Sequence, residues 1–387
     1  MADILPIEFV DLKKQRARIG DKIDAAIQKV LSHGQFILGP EVKQLEDGLK
    51  AFCGAKHAIA CSNGTDAIGL SLMALKVRPG DAIICPAFTF AATAEVVAWM
   101  GAQPVFVDVL PDTFNIDPKS IVAGIETAKK KGLRPVGVIS VDLFGLPVDY
   151  DAIEKVCAEN ELWLIADSAQ GFGGVYKGRT AGSIGKLATT SFFPAKPLGC
   201  YGDGGAIFTN DDDLAAVLQS LRFHGKGSDK YDNVRIGMNA RLDTMQAGIL
   251  IEKLAIYKDE IEKRNQVAAA YTKALSNVAK TPSVPKDCMS IWAQYTLILP
   301  EGVDRNAVAA AMKEKGVPTA IYYPKGLHQQ TAYNRFPVVE GGLPVCEMLS
   351  ARVISIPMHP YLTTEQIEYI CDSFRNAVTT PAKAAAA

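Results

Sequence analysis

The chain has 387 residues, 48% of them hydrophobic and 21% charged, and its 41 basic and 42 acidic residues leave a formal net charge of −1. This is the composition of an ordinary soluble globular protein, with no bulk electrostatic footprint for nucleic acid or an anionic membrane. No apolar run approaches the roughly 18 residues of a membrane span, and the eight cysteines stand singly without a CxxC pair, so neither a zinc site nor a redox dithiol is signalled.

The opening "MADILPIEFVDLKKQRARIG" has no basic segment followed by an apolar one. Together with isolated, reduced cysteines, this leads to the expectation of a cytoplasmic protein. The spacing in "DKIDAAIQKVLSHG" predicts a helix with Ile23, Ile27, Val30 and Leu31 on one face, stopping at Gly34. "PEVKQLEDGLKAFCG" predicts a second, with Pro40 in its first turn and Gly54 beyond its end. An alternation follows: "HAIACS" as a strand, a helix after "NGTDA", "DAIICP" as a strand, "ATAEVVAWMG" as a helix and "PVFVDV" as a strand. It continues with "GVISVDLF", the helix "YDAIEKVCAENE", and the strands "LWLIADSA" and "GAIFTN" before the helix "DDDLAAVLQSLRFHG". Short apolar strands separated by amphipathic helices predict an α/β fold with a mostly parallel central sheet covered on both faces.

A long helical pattern from Asp243 to Leu275 marks the exit from that sheet. Beyond it, "WAQYTLILP", "RNAVAAAMKEKG", "PTAIYYP", "ARVISIP" and "TEQIEYICDSFRNAV" mix strands and helices. The expected organisation is a large α/β domain over residues 1–250, a smaller α+β domain over 251–380, and a disordered tail over 381–387.

One stretch, "SFFPAKPLGCYGDGGA" (191–206), confines a single lysine between Pro194-Ala195 and Pro197. Lys196 reads either as a loop lysine in water or as an amine whose partial desolvation and fixed backbone suit it to Schiff-base chemistry. Asp167 closes the strand "LWLIAD", where open α/β proteins place ligand-binding groups, although a turn or helix-capping acid is the equal alternative. A pyridoxal phosphate enzyme needs such a lysine, and an acid against its pyridine nitrogen. "SNGTDA" would present the amides of Thr65, Asp66 and Ala67 to a phosphate at a helix N-terminus, or serve as a simple turn and cap. Ser191 adds a hydroxyl five residues before Lys196.

Seven segments occur in order: "GQFILGPEVKQLE", "SNGTDA", "PAFTFAATAE", "IADSAQGFGG", "SFFPAKPLGCYGDGGAI", "GMNARLDTMQA" and "SIPMHPYLT". With them the chain resembles the fold-type I, pyridoxal-phosphate-dependent nucleotide-sugar aminotransferases of the DegT/DnrJ/EryC1/StrS type. The wording is similar to that of the branch acting on UDP-2-acetamido-2-deoxy-3-keto-glucuronic acid, on the way to bacterial surface polysaccharides such as the O-antigen of lipopolysaccharide. The resemblance implies that Lys196 holds the cofactor and shuttles a proton, that Asp167 pairs with the pyridine nitrogen, and that Gln170 reaches the ring hydroxyl. Thr65, Asp66, Ala67 and Ser191 would bind the phosphate. Phe90 would cover the ring face, with Phe88 as its rival.

The same resemblance implies a homodimer in which Asn239 meets the partner's cofactor and Arg241 the partner's substrate. Tyr322 and Tyr323 stand where related members often carry a His-Tyr pair, and they join His328 and His359 as candidate substrate contacts. The implied reaction moves the amino group of L-glutamate to a UDP-linked keto-sugar in two half-reactions. Intact Lys196, Asp167 and Ser191 argue against a non-catalytic nucleotide-sugar-binding protein, and no GxGxxG opens a helix as a nicotinamide dehydrogenase would require.

Overall fold

The computed structural model describes residues 6–229 and 231–379; the expected tail over 381–387 lies outside the described residues. In chain order the elements begin with α1 (Leu12–His33), α2 (Pro40–Cys53), β1 (His57–Cys61), α3 (Gly64–Ala74), β2 (Asp81–Pro86), α4 (Ala92–Trp99) and β3 (Gln103–Val107). They continue with α5 (Pro118–Lys130), β4 (Arg134–Val141), α6 (Tyr150–Glu159), β5 (Trp163–Asp167), the short β6 (Val175–Tyr176) and β7 (Arg179–Thr180), β8 (Leu187–Ser191), β9 (Gly205–Thr209) and α7 (Asp212–Leu221). The remainder comprises α8 (Thr244–Leu275), β10 (Cys288–Met289), β11 (Tyr295–Ile298), α9 (Arg305–Glu314), α10 (Pro344–Arg352), β12 (Val353–Ile356) and α11 (Thr364–Thr379).

Seven strands form the central sheet in the order β1-β9-β8-β5-β4-β2-β3. Every neighbouring pair is parallel except β8/β9 and β9/β1, so a single antiparallel strand interrupts an otherwise parallel sheet. Buried on both faces, the parallel strands read as continuous apolar runs such as Ile83-Ile84-Cys85 and Leu164-Ile165-Ala166.

Local signals set the helix ends. Gly34 and Gly54 end α1 and α2 in the left-handed conformation (φ 69° and 84°), each returning its amide to a carbonyl four residues back. Asp149 and Asp211 cap α6 and α7 with their carboxylates.

Two differences from the sequence reading have physical causes. The helix read from residue 21 starts at Leu12, capped by Asp11, because its polar first half packs on α8 through a bond from Gln15 to Glu260 at 3.1 Å. The strand read as running to residue 144 ends at Val141, and Leu143–Gly145 form a turn of 3-10 helix that frees Asp142 from the ladder.

The main core lies on the two faces of the sheet, while a second gathers Tyr271, Trp292, Tyr295, Met312, Ile356 and Phe374 around the β11–β12 pair. α8 contributes to both and runs unbroken through residue 250.

Candidate active site

Register alone assembles the site. Cys61 lies opposite Gly205, and Gly205 opposite Ser191, across β1, β9 and β8. Asp167 lies opposite Thr189 on one side and Val141 on the other. The carboxyl ends of β1, β8, β5 and β4 therefore share one sheet edge, where open α/β sheets bind ligands.

Asp167, buried at the end of β5, accepts the Ala169 amide at 3.0 Å, and no other hydrogen bond reaches its carboxylate among the described residues. Burial raises its carboxyl to about 6, and both that amide and the Lys196 amine act in the opposite sense. Lys196 lies in the loop joining β8 to β9, half-buried. Burial lowers the pKa of its amine and the Asp167 charge opposes the shift; no hydrogen bond engages Nζ among the described residues. An amine and a buried acid thus face each other with bonding capacity to spare. Lys196 borders a shallow recess that also touches Ala169, Gln170, Thr190, Ser191 and Tyr257, with Asp167 two residues before Ala169 at the end of β5. A wider groove between α8 and α11, lined by Lys263, Lys273 and Arg375, contains none of these groups; chemistry, not volume, locates the site.

The β1–α3 turn closes tightly on this edge. A Cβ on Gly64 would lie 2.7 Å from that of Ser191, and one on Gly205 only 2.4 Å from the Asn63 carbonyl oxygen. Asn63 caps α3 by accepting the Asp66 amide at 2.7 Å, while Ala67 donates to the Asn63 carbonyl at 3.1 Å. Two of the three amides read from the sequence as phosphate donors, those of Asp66 and Ala67, are therefore bonded to Asn63. Gly64 and Thr65 retain theirs, next to the Ser191 hydroxyl. The Asp66 carboxylate is itself held by Ser62 Oγ and by Asn63 Nδ2.

Gln170 is buried, with Oε1 accepting from the Phe144 amide at 2.8 Å and Nε2 donating to Tyr323 Oη at 3.2 Å. Phe88 packs edge-on against both Phe144 and Tyr323, whereas Phe90 is 58% exposed. The structure thus brings Phe88, the rival, into the Gln170 cluster. Tyr322 packs on Phe9 and Tyr323.

Asn239 is exposed on the loop before α8, and the Arg241 guanidinium stacks 5.0 Å over Phe223. His328 follows Leu327, whose amide donates to the Ala87 carbonyl at 2.8 Å, but its ring is tied to Glu347 at 3.3 Å. His359 is interior: the Tyr361 amide donates to its Nδ1 at 3.3 Å, and burial with nearby Arg264 lowers its pKa to about 4. Neither histidine hydrogen-bonds Lys196, Asp167 or Gln170.

The sequence reading missed the support beneath Asp167. Asp142, the first residue after β4, accepts from Ser168 Oγ at 2.7 Å, Tyr150 Oη at 2.8 Å and the Val148 amide at 3.0 Å. Its own amide donates to the Asp167 carbonyl at 3.0 Å. Its signal was the one that pointed to Asp167, an acid closing an apolar strand.

The DegT/DnrJ/EryC1/StrS aminotransferase family model matches residues 17–375. The chain belongs to this family. It is 48% identical over 371 residues to UDP-2-acetamido-2-deoxy-3-oxo-D-glucuronate aminotransferase of Pseudomonas aeruginosa PAO1, covering 96% of this chain and 100% of that protein. A DegT DnrJ EryC1 StrS aminotransferase from Brucella abortus has the same fold with a TM-score of 0.94 and 48% identity, over 97% of this chain and 100% of that one. DesV of S. venezuelae, solved in complex with a ketimine intermediate, aligns with a TM-score of 0.90 and 33% identity, over 97% and 99% of the two chains.

The site fits the family's cofactor, pyridoxal 5′-phosphate. It offers an amine and a buried carboxylate without full sets of partners, and a β1–α3 turn whose glycines let the N-terminus of α3 approach Ser191 more closely than any Cβ would allow.

Proposed function

We propose that this aminotransferase transfers the amino group of L-glutamate to the 3-keto carbon of UDP-2-acetamido-2-deoxy-3-keto-glucuronic acid, for bacterial surface polysaccharide synthesis. The observation that carries the substrate is the 48% identity over the whole length of the Pseudomonas enzyme, whose name specifies that UDP-3-oxo-sugar. When bound, pyridoxal phosphate supplies the electron sink and carries the amino group between the two substrates.

The chain's own residues divide the remaining work. Lys196 holds the cofactor covalently and, once released, moves a proton at the substrate carbon, since burial disfavours the charged form of its amine and no hydrogen bond commits its Nζ among the described residues. Asp167 keeps the pyridine nitrogen protonated, and Gln170 with Tyr323 borders the ring. The Gly64 and Thr65 amides and Ser191 Oγ hold the phosphate at the positive end of α3.

The working unit in this reading is a cytoplasmic homodimer. Phe36, Ile37, Phe90, Phe193 and Ile236 are exposed apolar side chains that a second copy would cover, and in this reading the partner contributes its Asn239 and Arg241. In the described residues no helix is long and apolar enough to cross a membrane.

The test is made on the purified, cofactor-loaded protein in two stages. L-Glutamate alone should bleach the cofactor's visible absorbance with one equivalent of 2-oxoglutarate formed. Adding the UDP-3-keto-glucuronic acid should restore it and yield a product aminated at C3, identified by mass spectrometry and NMR. Restoration only by a 4-keto nucleotide sugar would overturn the substrate assignment and leave the aminotransferase.

A further inference from the structure

A second lysine lies under the loop that carries Lys196. Lys253, in the third turn of α8, is only 1% exposed, and its Nζ donates to the Gly199 carbonyl at 2.6 Å while lying 4.3 Å over the Tyr201 ring. Seven residues earlier on the same helix, Gln246 brackets the Tyr201 backbone, accepting its amide at 2.8 Å and donating to its carbonyl at 3.3 Å. A seven-residue spacing places two side chains on one face about 10 Å apart. One helix face thus grips two residues at the exit of the Lys196 loop.

The loop transmits that grip over a short path. The Lys196 amide donates to the Phe193 carbonyl at 2.8 Å, and Cys200 returns its amide to Phe192, also at 2.8 Å. A Cβ on Gly199 would lie 2.5 Å from the Pro194 oxygen and 2.6 Å from the Phe193 oxygen, so the two arms of the loop touch at the residue that Lys253 holds. Between these arms, Pro194 and Pro197 leave Lys196 few other backbone conformations.

We propose that Lys253, aided by Gln246, is a positioning residue that fixes the Lys196 backbone by clamping Gly199 and Tyr201 to α8. The proposal rests on the reading of Lys196 as the cofactor lysine. Lys253 itself touches neither cofactor nor substrate. It acts because an amine that must leave the cofactor, move a proton and return needs an anchored backbone, and misplacement by an ångström costs about 10–100-fold in rate.

The experiment compares Lys253→Met, Lys253→Arg and Gln246→Ala with wild type. Amide hydrogen exchange across residues 193–202 is measured on the apoenzymes, where no cofactor chemistry enters. On the loaded enzymes, the rate of the glutamate half-reaction and the pH midpoint of the cofactor–lysine absorbance are measured.

The expected result is faster exchange confined to this loop in Lys253→Met and Gln246→Ala. The half-reaction should be about 10–100-fold slower with little change in KM, the pH midpoint displaced, and Lys253→Arg partly restored because it still donates to Gly199. A folded Lys253→Met with wild-type exchange and an unmoved midpoint overturns the proposal. If that variant does not fold, the half-buried Gln246→Ala decides by the same two readouts. Failure of wild type to take up the cofactor would refute the aminotransferase reading, and the apoenzyme exchange would still test the clamp.

Discussion

Lys196 and Lys253 are both depressed by burial, yet their surroundings differ in kind. Lys253, lowered to about 8, has a carbonyl at 2.6 Å and an aromatic ring beneath its ammonium. The Lys196 amine has a carboxylate nearby and, among the described residues, no hydrogen bond at Nζ. The two acids divide in the same way. Asp142 and Asp167 are both raised to about 6 by burial, but Asp142 accepts from Ser168, Tyr150 and Val148 while Asp167 accepts one amide. Burial and a shifted pKa therefore do not distinguish the reacting groups from their supports. Open bonding capacity at the carboxyl edge of the sheet does, because an unmet buried group is costly and persists where a ligand completes it.

Breaking the open pair should have the largest effect. Lys196→Ala removes the one amine that lines the recess among the described residues, and the turnover that depends on it should fall by at least ~10²–10⁴-fold, with the fold intact by circular dichroism.

The two acids sharpen the comparison through pH. In the folded apoenzyme each carboxyl titrates near 6 instead of the usual 3.8, so the folded state retains protons that the unfolded chain has lost. Their contribution to stability is fully present below about pH 4 and is lost as pH rises through about 6. Asp167→Asn should consequently raise the apoenzyme melting temperature at neutral pH by the equivalent of roughly 1–3 kcal/mol while suppressing turnover. Asp142→Asn cannot accept all three of its donors and should lower the melting temperature instead, by a similar amount. Thermal scans of both variants from about pH 4 to pH 8 check the opposite signs. Two variants shifting in the same direction would remove the distinction between open and committed acids.

The smallest effect belongs to the phosphate corner. Ser191→Ala deletes one hydroxyl beside the Gly64 and Thr65 amides, and should weaken cofactor affinity by about 1 kcal/mol, roughly fivefold, in equilibrium titration.

Much of this architecture was legible because strands buried on both faces and amphipathic helices leave plain patterns, as in "LWLIAD" and "YDAIEKVCAENE". What escaped was set by tertiary contact. β8, "LATTS", is rich in hydroxyls yet central, with Thr189 and Thr190 buried between β5 and β9. The first half of α1 is polar because it packs on α8 and not on the sheet.

At the site, Lys196, Asp167 and Ser191 were legible from punctuation: prolines, glycines and a strand-ending acid. The free amides of Gly64 and Thr65 were displaced by one turn position from the expected set, since the Asn63 cap claims Asp66. Phe88 and Phe90 stand two residues apart in the bend that follows β2, where no strand period fixes their directions, and only the fold shows which one turns toward Gln170. Lys253 could not be read at all, because a lysine inside a long charged helix looks solvated until Gly199 is placed above it.

The most direct measurement is to load the protein with pyridoxal phosphate, reduce the adduct with borohydride and map the modified lysine by peptide mass spectrometry. The account predicts modification at Lys196 alone, with Lys253 unmodified. Labelling at Lys253, or no covalent adduct on a folded protein that binds the cofactor, would contradict it.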